Sequence, residues 1–75
     1  MIRFYLKERM LDMEFRNKKR MTLDEVARNT GVSKNTLNRI ANSRGDYNTT
    51  TDTLDRLCKY FDCSLKDLAD YVEDE

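Results

Sequence analysis

The chain has 75 residues, enough for one domain spanning 1–75, near the lower limit at which a single apolar core suffices. It holds no proline, two glycines and 39% apolar residues, which marks it as compact and helical, and two cysteines without histidine exclude the usual four-ligand zinc arrangements. Net charge is zero, yet residues 1–44 carry 11 Lys and Arg against 5 Asp and Glu, and residues 45–75 carry 3 against 9. That polarity orients a molecule on a polyanion and holds its far side away, while the zero total forecasts weak non-specific binding to nucleic acid. No apolar run reaches the roughly 18 residues that a membrane span needs.

Residues 1–6 alternate, with Ile2, Phe4 and Leu6 on one side and Arg3 and Tyr5 on the other. The pattern is strand-like but leaves an extended arm and an early helical turn both open. An arm would pack across its own domain or pair with a second copy. Charge enters MIRFYLKERM too early for a signal peptide. From Leu6 to Asn17 the period becomes helical, with Leu6, Met10 and Met13 on one row and Leu11 and Phe15 beside it. Lys18, Lys19 and Arg20 follow, where positive charge suits the helix dipole. They read either as a solvated helix end or as a phosphate contact just before the next helix.

That next helix opens at Thr22, with Glu25 three residues on in capping-box spacing and Met21 placed to staple onto Val26. Leu23, Val26 and Ala27 share its buried face. Gly31 ends it, because a left-handed residue is needed there. Ser33 caps a second helix, stapled by Val32 and Leu37, with Leu37, Ile40 and Ala41 as its apolar stripe. Two short helices joined by so tight a turn cross steeply, with small Ala27 at the closest approach. The unit at 22–41 is a helix-turn-helix. Lys34, Asn35, Asn38, Arg39 and Asn42 fall on its outer rows. An Asn amide matches the N6/N7 edge of adenine, a Lys the O6/N7 edge of guanine, and a helix fits the major groove.

On these residues the stretch resembles the phage-repressor/Cro-like helix-turn-helix of the XRE family: small Ala27, the turn Gly31-Val32, and the pair Leu37 and Ile40. The resemblance covers about residues 6–72 and implies an all-α, lambda-repressor-like bundle of five helices. It also implies base reading by Ser33, Lys34, Asn35 and Asn38, with Asn42 at a phosphate. Further phosphate candidates are Lys19, Thr22 at the helix N-terminus, Arg39, and, in the loop after the reading helix, Arg44, Asn48 and Thr49. One departure is Leu23, where the family often has a polar residue gripping a phosphate; the helix-end amides remain to bind one.

In the loop Ser43–Thr50, Gly45 suits a left-handed turn and Tyr47 is assigned to the core. Thr51 or Thr50 caps a helix to about Phe61, buried through Leu54, Leu57, Cys58 and Phe61. Ser64 with Asp67 starts a fifth helix, stapled by Cys63 and Leu68, with Leu65, Leu68, Ala69 and Val72 as its buried row. Residues 73–75 form an acidic tail. Cys58 reads as a core thiol. Cys63, at a helix start, is placed where a thiolate is favoured, although two structural thiols are the simpler reading.

The function these features imply is sequence-specific binding of double-stranded DNA by a small cytoplasmic transcriptional regulator, a repressor, acting as a homodimer on a palindromic operator without cofactor, metal or small-molecule ligand. The dimer surface would come from the last helix with Tyr71, the N-terminal arm, or both. The alternative is a helix-turn-helix that docks onto a protein, as an antitoxin or accessory subunit does, through its acidic half from Asp46 onward. Catalysis is disfavoured by the lack of histidine, a phosphate-cradling glycine loop or a carboxylate pair in a cleft.

Overall fold

In the computed structural model, which describes residues 1–44 and 47–73, a strand β1 (Ile2–Phe4) precedes four helices, α1 (Leu6–Asn17), α2 (Leu23–Thr30), α3 (Lys34–Ala41) and α4 (Thr51–Phe61). One helical turn, α5 (Leu65–Leu68), then leads into a strand β2 (Ala69–Tyr71). Every helix contributes to one core: Leu6, Val26, Leu37, Ile40, Leu57, Phe61 and Leu68 are buried, joined by Val32 from the turn. Each such side chain contributes about 1.5–3 kcal/mol relative to exposure, so the sequence stripes at helical spacing are what hold the bundle together.

The helix ends follow their local chemistry. Thr22, Ser33 and Thr50 lie in extended backbone, and each hydroxyl accepts the N–H of the residue three further on, at 3.1–3.2 Å. Gly31 takes the left-handed conformation at φ 80° and returns its N–H to Ala27 O at 2.9 Å. Lys18 and Asp62 adopt the same region at φ 52° without being glycine, and no sequence signal marked them. The box expected at Thr22 is half formed, since the Glu25 carboxylate is turned to Lys19 Nζ at 3.3 Å. At Ser64, by contrast, Asp67 Oδ2 accepts from both the backbone N–H and the hydroxyl, at 3.4 and 3.0 Å.

The chain's two ends depart from the all-α expectation. The fifth helix stops at Leu68, and β2 runs antiparallel to β1 with Ile2 opposite Tyr71, Arg3 opposite Asp70 and Phe4 opposite Ala69. The Met1 ammonium donates to Val72 O and Val72 N–H returns to Met1 O, both at 2.8 Å, while Tyr5 N–H reaches Leu68 O at 2.7 Å. The arm therefore packs on its own domain. A sequence with Leu65, Leu68, Ala69 and Val72 at helical spacing becomes a strand here because β1 supplies an unpaired ladder, which outweighs a weak local preference. In consequence Leu65 is exposed rather than buried. Leu11 and Phe15, expected beside the core row of α1, are also exposed. Tyr47 is partly buried against the core, as expected, whereas Gly45 and the last two residues of the acidic tail lie outside the described residues. No helix among the described residues is long and apolar enough to cross a membrane.

Candidate nucleic-acid interface

The buried Val26, Leu37 and Ile40 fix how α2 and α3 cross, and thereby which side of α3 is left uncovered. Ser33, Lys34, Asn35, Asn38, Arg39 and Asn42 are all exposed. Polar contacts tie much of this row together. Lys34 Nζ lies 3.2 Å from Asp24 Oδ1 in the first turn of α2. Asn42 Nδ2 donates to Asn38 Oδ1 at 2.8 Å and to Asn38 O at 2.9 Å, so one amide orients its neighbour a turn away. The Ser33 hydroxyl accepts Thr36 N–H and donates to Thr36 Oγ1 at 2.9 Å, which commits it to capping before any ligand arrives.

The expected phosphate contacts divide into two groups. Thr22 and Lys19 stand at the start of α2, with Thr22 capping and Lys19 paired with Glu25. Arg39 and Asn42 border the outer row of α3, Arg44 follows it, and all three are exposed. Asn48 and half-buried Thr49 line an apolar groove beside the β1–β2 ribbon. Asp24 and Glu25 at the start of α2 complement its dipole and, by the same charge, oppose a phosphate there. Sequence reasoning missed Lys7. Its Nζ approaches Asn42 Oδ1 at 3.4 Å, bringing a cation from α1 to the end of α3. Lys7 is exposed and lies off the apolar row of α1, and nothing local shows which helix it meets.

The molecule thus combines two short helices packed on one core, a left-handed glycine turn between them and an open, amide-rich face. A family model, the Cro/C1-type HTH DNA-binding domain, matches residues 6–74. The chain belongs to that family. No curated protein matches it. As a Cro/C1-type domain it is a DNA-binding module. The two cysteines sit away from that face: Cys63 N–H donates to Cys58 O at 3.1 Å across the end of α4. Burial pushes the Cys63 thiol above its ordinary value, helped by the adjacent Cys58 thiol. The thiolate that a helix start would favour is thus disfavoured, because the site is desolvated, which agrees with the simpler reading of two structural thiols.

Proposed function

We propose that this domain recognises a specific duplex sequence by laying α3 in the major groove, and that it acts as a cytoplasmic repressor on a palindromic operator bound by two copies. The observation that carries the reading is the exposed row Lys34–Asn38–Asn42 together with Asn35, on a helix whose opposite face is sealed by Leu37 and Ile40. Ser33, Lys34, Asn35 and Asn38 are assigned to base edges. Lys19, Thr22, Arg39, Asn42, Arg44, Asn48 and Thr49 are assigned to the backbone, which positions the helix without reading sequence. Two copies on half-sites about one helical turn apart, roughly 34 Å, would each present one such helix.

Selection of bound sequences from a random duplex pool, followed by titration at several salt concentrations, tests this. A palindromic product is expected. The three cationic backbone candidates Lys19, Arg39 and Arg44 imply a log–log salt slope of about −3 per protomer. Binding that ignores salt, or a pool that never converges, contradicts the proposal and favours a protein-docking role.

A further inference from the structure

One side-chain amide joins the exposed row of α3 to α1. Asn42 Nδ2 donates to the Asn38 carbonyl oxygen at 2.9 Å and to Asn38 Oδ1 at 2.8 Å, while Asn42 Oδ1 accepts from Lys7 Nζ at 3.4 Å. Which way round this amide sits follows from its partners, since a peptide carbonyl only accepts and an ammonium only donates. The nitrogen must face Asn38 and the oxygen Lys7. That in turn fixes Asn38. Its Oδ1 meets the Asn42 nitrogen a turn along the helix, and its Nδ2 has no hydrogen-bond partner among the described residues, so the donor is the end left to a ligand. We infer that Asn38 reads DNA as a hydrogen-bond donor and so selects guanine rather than adenine, with Asn42 and Lys7 as the positioning residues that set this polarity; the inference rests on the DNA-binding role proposed above.

The choice of base follows from what each edge offers in the major groove. An unrestrained Asn amide pairs with adenine because it donates to N7 and accepts from the N6 amino group at once. Asn38 does so only by withdrawing Oδ1 from Asn42, which strips an Nδ2 hydrogen of Asn42 of its partner. Guanine offers two acceptors, N7 and O6, so the two Nδ2 hydrogens of Asn38 meet it with the network intact. Thymine offers one acceptor, O4, beside a methyl group. Asn35 makes the contrast: it is also exposed, its side-chain amide has no partner among the described residues, and it keeps both ends for an adenine. Two chemically identical side chains on one helix are thus given different bases by their neighbours. The same network bears on the backbone contact assigned to Asn42. Both of its Nδ2 hydrogens are engaged, so it meets a phosphate through Lys7, whose ammonium keeps two N–H groups. At 3.4 Å the Lys7 contact is longer than the roughly 2.7–2.9 Å of a strong charge-assisted bond. It is therefore the weaker restraint on Asn42, and the Asn38 carbonyl the stronger.

Two measurements on the full chain separate the network from the reading. In the free protein, NMR should show the side-chain amide hydrogens of Asn42 exchanging with water more slowly than those of Asn35. Selection from a random duplex pool then locates the base pair read by Asn38, as the one whose preference vanishes in Asn38→Ala. Guanine is expected there, preferred over adenine by about 5- to 10-fold, the lower part of what a good base contact supplies. Asn42→Ala releases Oδ1 and should move that preference to adenine. Lys7→Met should narrow it by about 2-fold, the low end for one hydrogen bond, and Lys7→Arg should restore it. All three side chains are exposed, so each variant should melt like the parent. Any base other than guanine at that pair, a guanine preference untouched by Asn42→Ala, or an Asn42 amide that exchanges as fast as that of Asn35 overturns the inference and leaves the DNA reading standing. A slowly exchanging Asn42 beside a pool that never converges instead defeats the DNA reading, and the guanine assignment with it, while the network stands.

Discussion

Arg56, on α4, donates Nη1 to the Thr30 carbonyl at 3.1 Å, tying the end of α2 to a helix 26 residues further along the chain. The same guanidinium lies over Gly31, where an added Cβ would come within 2.8 Å of Nη1. Gly31→Ala therefore meets two penalties. The left-handed backbone costs an L-residue about 1–2 kcal/mol, and Arg56 must swing off Thr30 toward Asp52, already 2.9 Å from its Nε. Arg56→Met alone should cost about 1 kcal/mol, a charged hydrogen bond reduced by its half-exposed setting. Since the two changes share one contact, together they should cost less than their sum. Thermal melts of both single variants and the double variant check this, at roughly 4–8 °C per kcal/mol in a domain this size. Strict additivity would show that Arg56 and Gly31 are not coupled.

Thr30 is the one buried polar residue among the described residues. Its hydroxyl donates to Val26 O at 2.7 Å and accepts Val32 N–H at 3.2 Å, so it closes the last turn of α2 and pins the residue leading into α3. Thr30→Val keeps the shape and strips both bonds, leaving the Val32 N–H without its partner at a cost of about 1–3 kcal/mol. Thr30→Ser keeps the bonds and should lose less. Urea midpoints ranking Val at or above Ser would mean that the hydroxyl is not what holds the turn.

Cys63 yields a pH dependence whose sign follows from its environment. Burial, then the Cys58 thiol and Asp67, raise it above 9.0, with Arg9 pulling the other way. The folded chain thus holds this proton more tightly than the unfolded one. Its contribution is fully present below pH 9.0, the ordinary value, and is lost as pH rises through the folded value. Stability should fall above that point more steeply in the native protein than in Cys63→Ser. Iodoacetamide should also label native Cys63 more slowly than the same residue in urea. Equal rates in the two states would contradict the desolvated placement.

How much of this was legible depends on whether the cause was local. Caps at Thr22 and Ser33, the turn at Gly31 and the stripes through Val26, Leu37, Leu57 and Phe61 are set within one or two turns, and α1 to α4 follow from them. Of the ribbon, the alternation at residues 1–6 showed the first strand as one of two open readings, but the second was not legible, because Ala69–Tyr71 becomes a strand only when Ile2–Phe4 arrives from the far end of the chain. For the same reason Leu65 looked buried, and Lys7, Arg56 and Thr30 gave no sign of their partners. On the candidate interface, periodicity placed the row on α3. It did not show that Lys34 is held by Asp24, a contact made between helices.

That last contact bears on affinity. Lys34 Nζ lies 3.2 Å from Asp24, with both side chains mostly exposed, so the pair itself adds little to stability. If Lys34 reads a base, binding must first separate it from Asp24, and the carboxylate then stands beside a phosphate backbone. Asp24→Asn removes both obstacles while keeping a residue that the first helical turn tolerates. Its fold should be unchanged and its affinity for the selected duplex higher, by about 2- to 10-fold at low salt and less as salt screens the charge. Lys34→Ala combined with Asn38→Ala should instead abolish sequence selection and leave the melting curve nearly intact. In the Lys34→Ala background Asp24→Asn should still help, through the phosphates, but by a smaller factor. Competition titrations against a scrambled duplex measure all three. An Asp24→Asn protein that binds more weakly than the parent would place the carboxylate in the recognition itself, and the double variant retaining its footprint would remove Lys34 and Asn38 from the reading face.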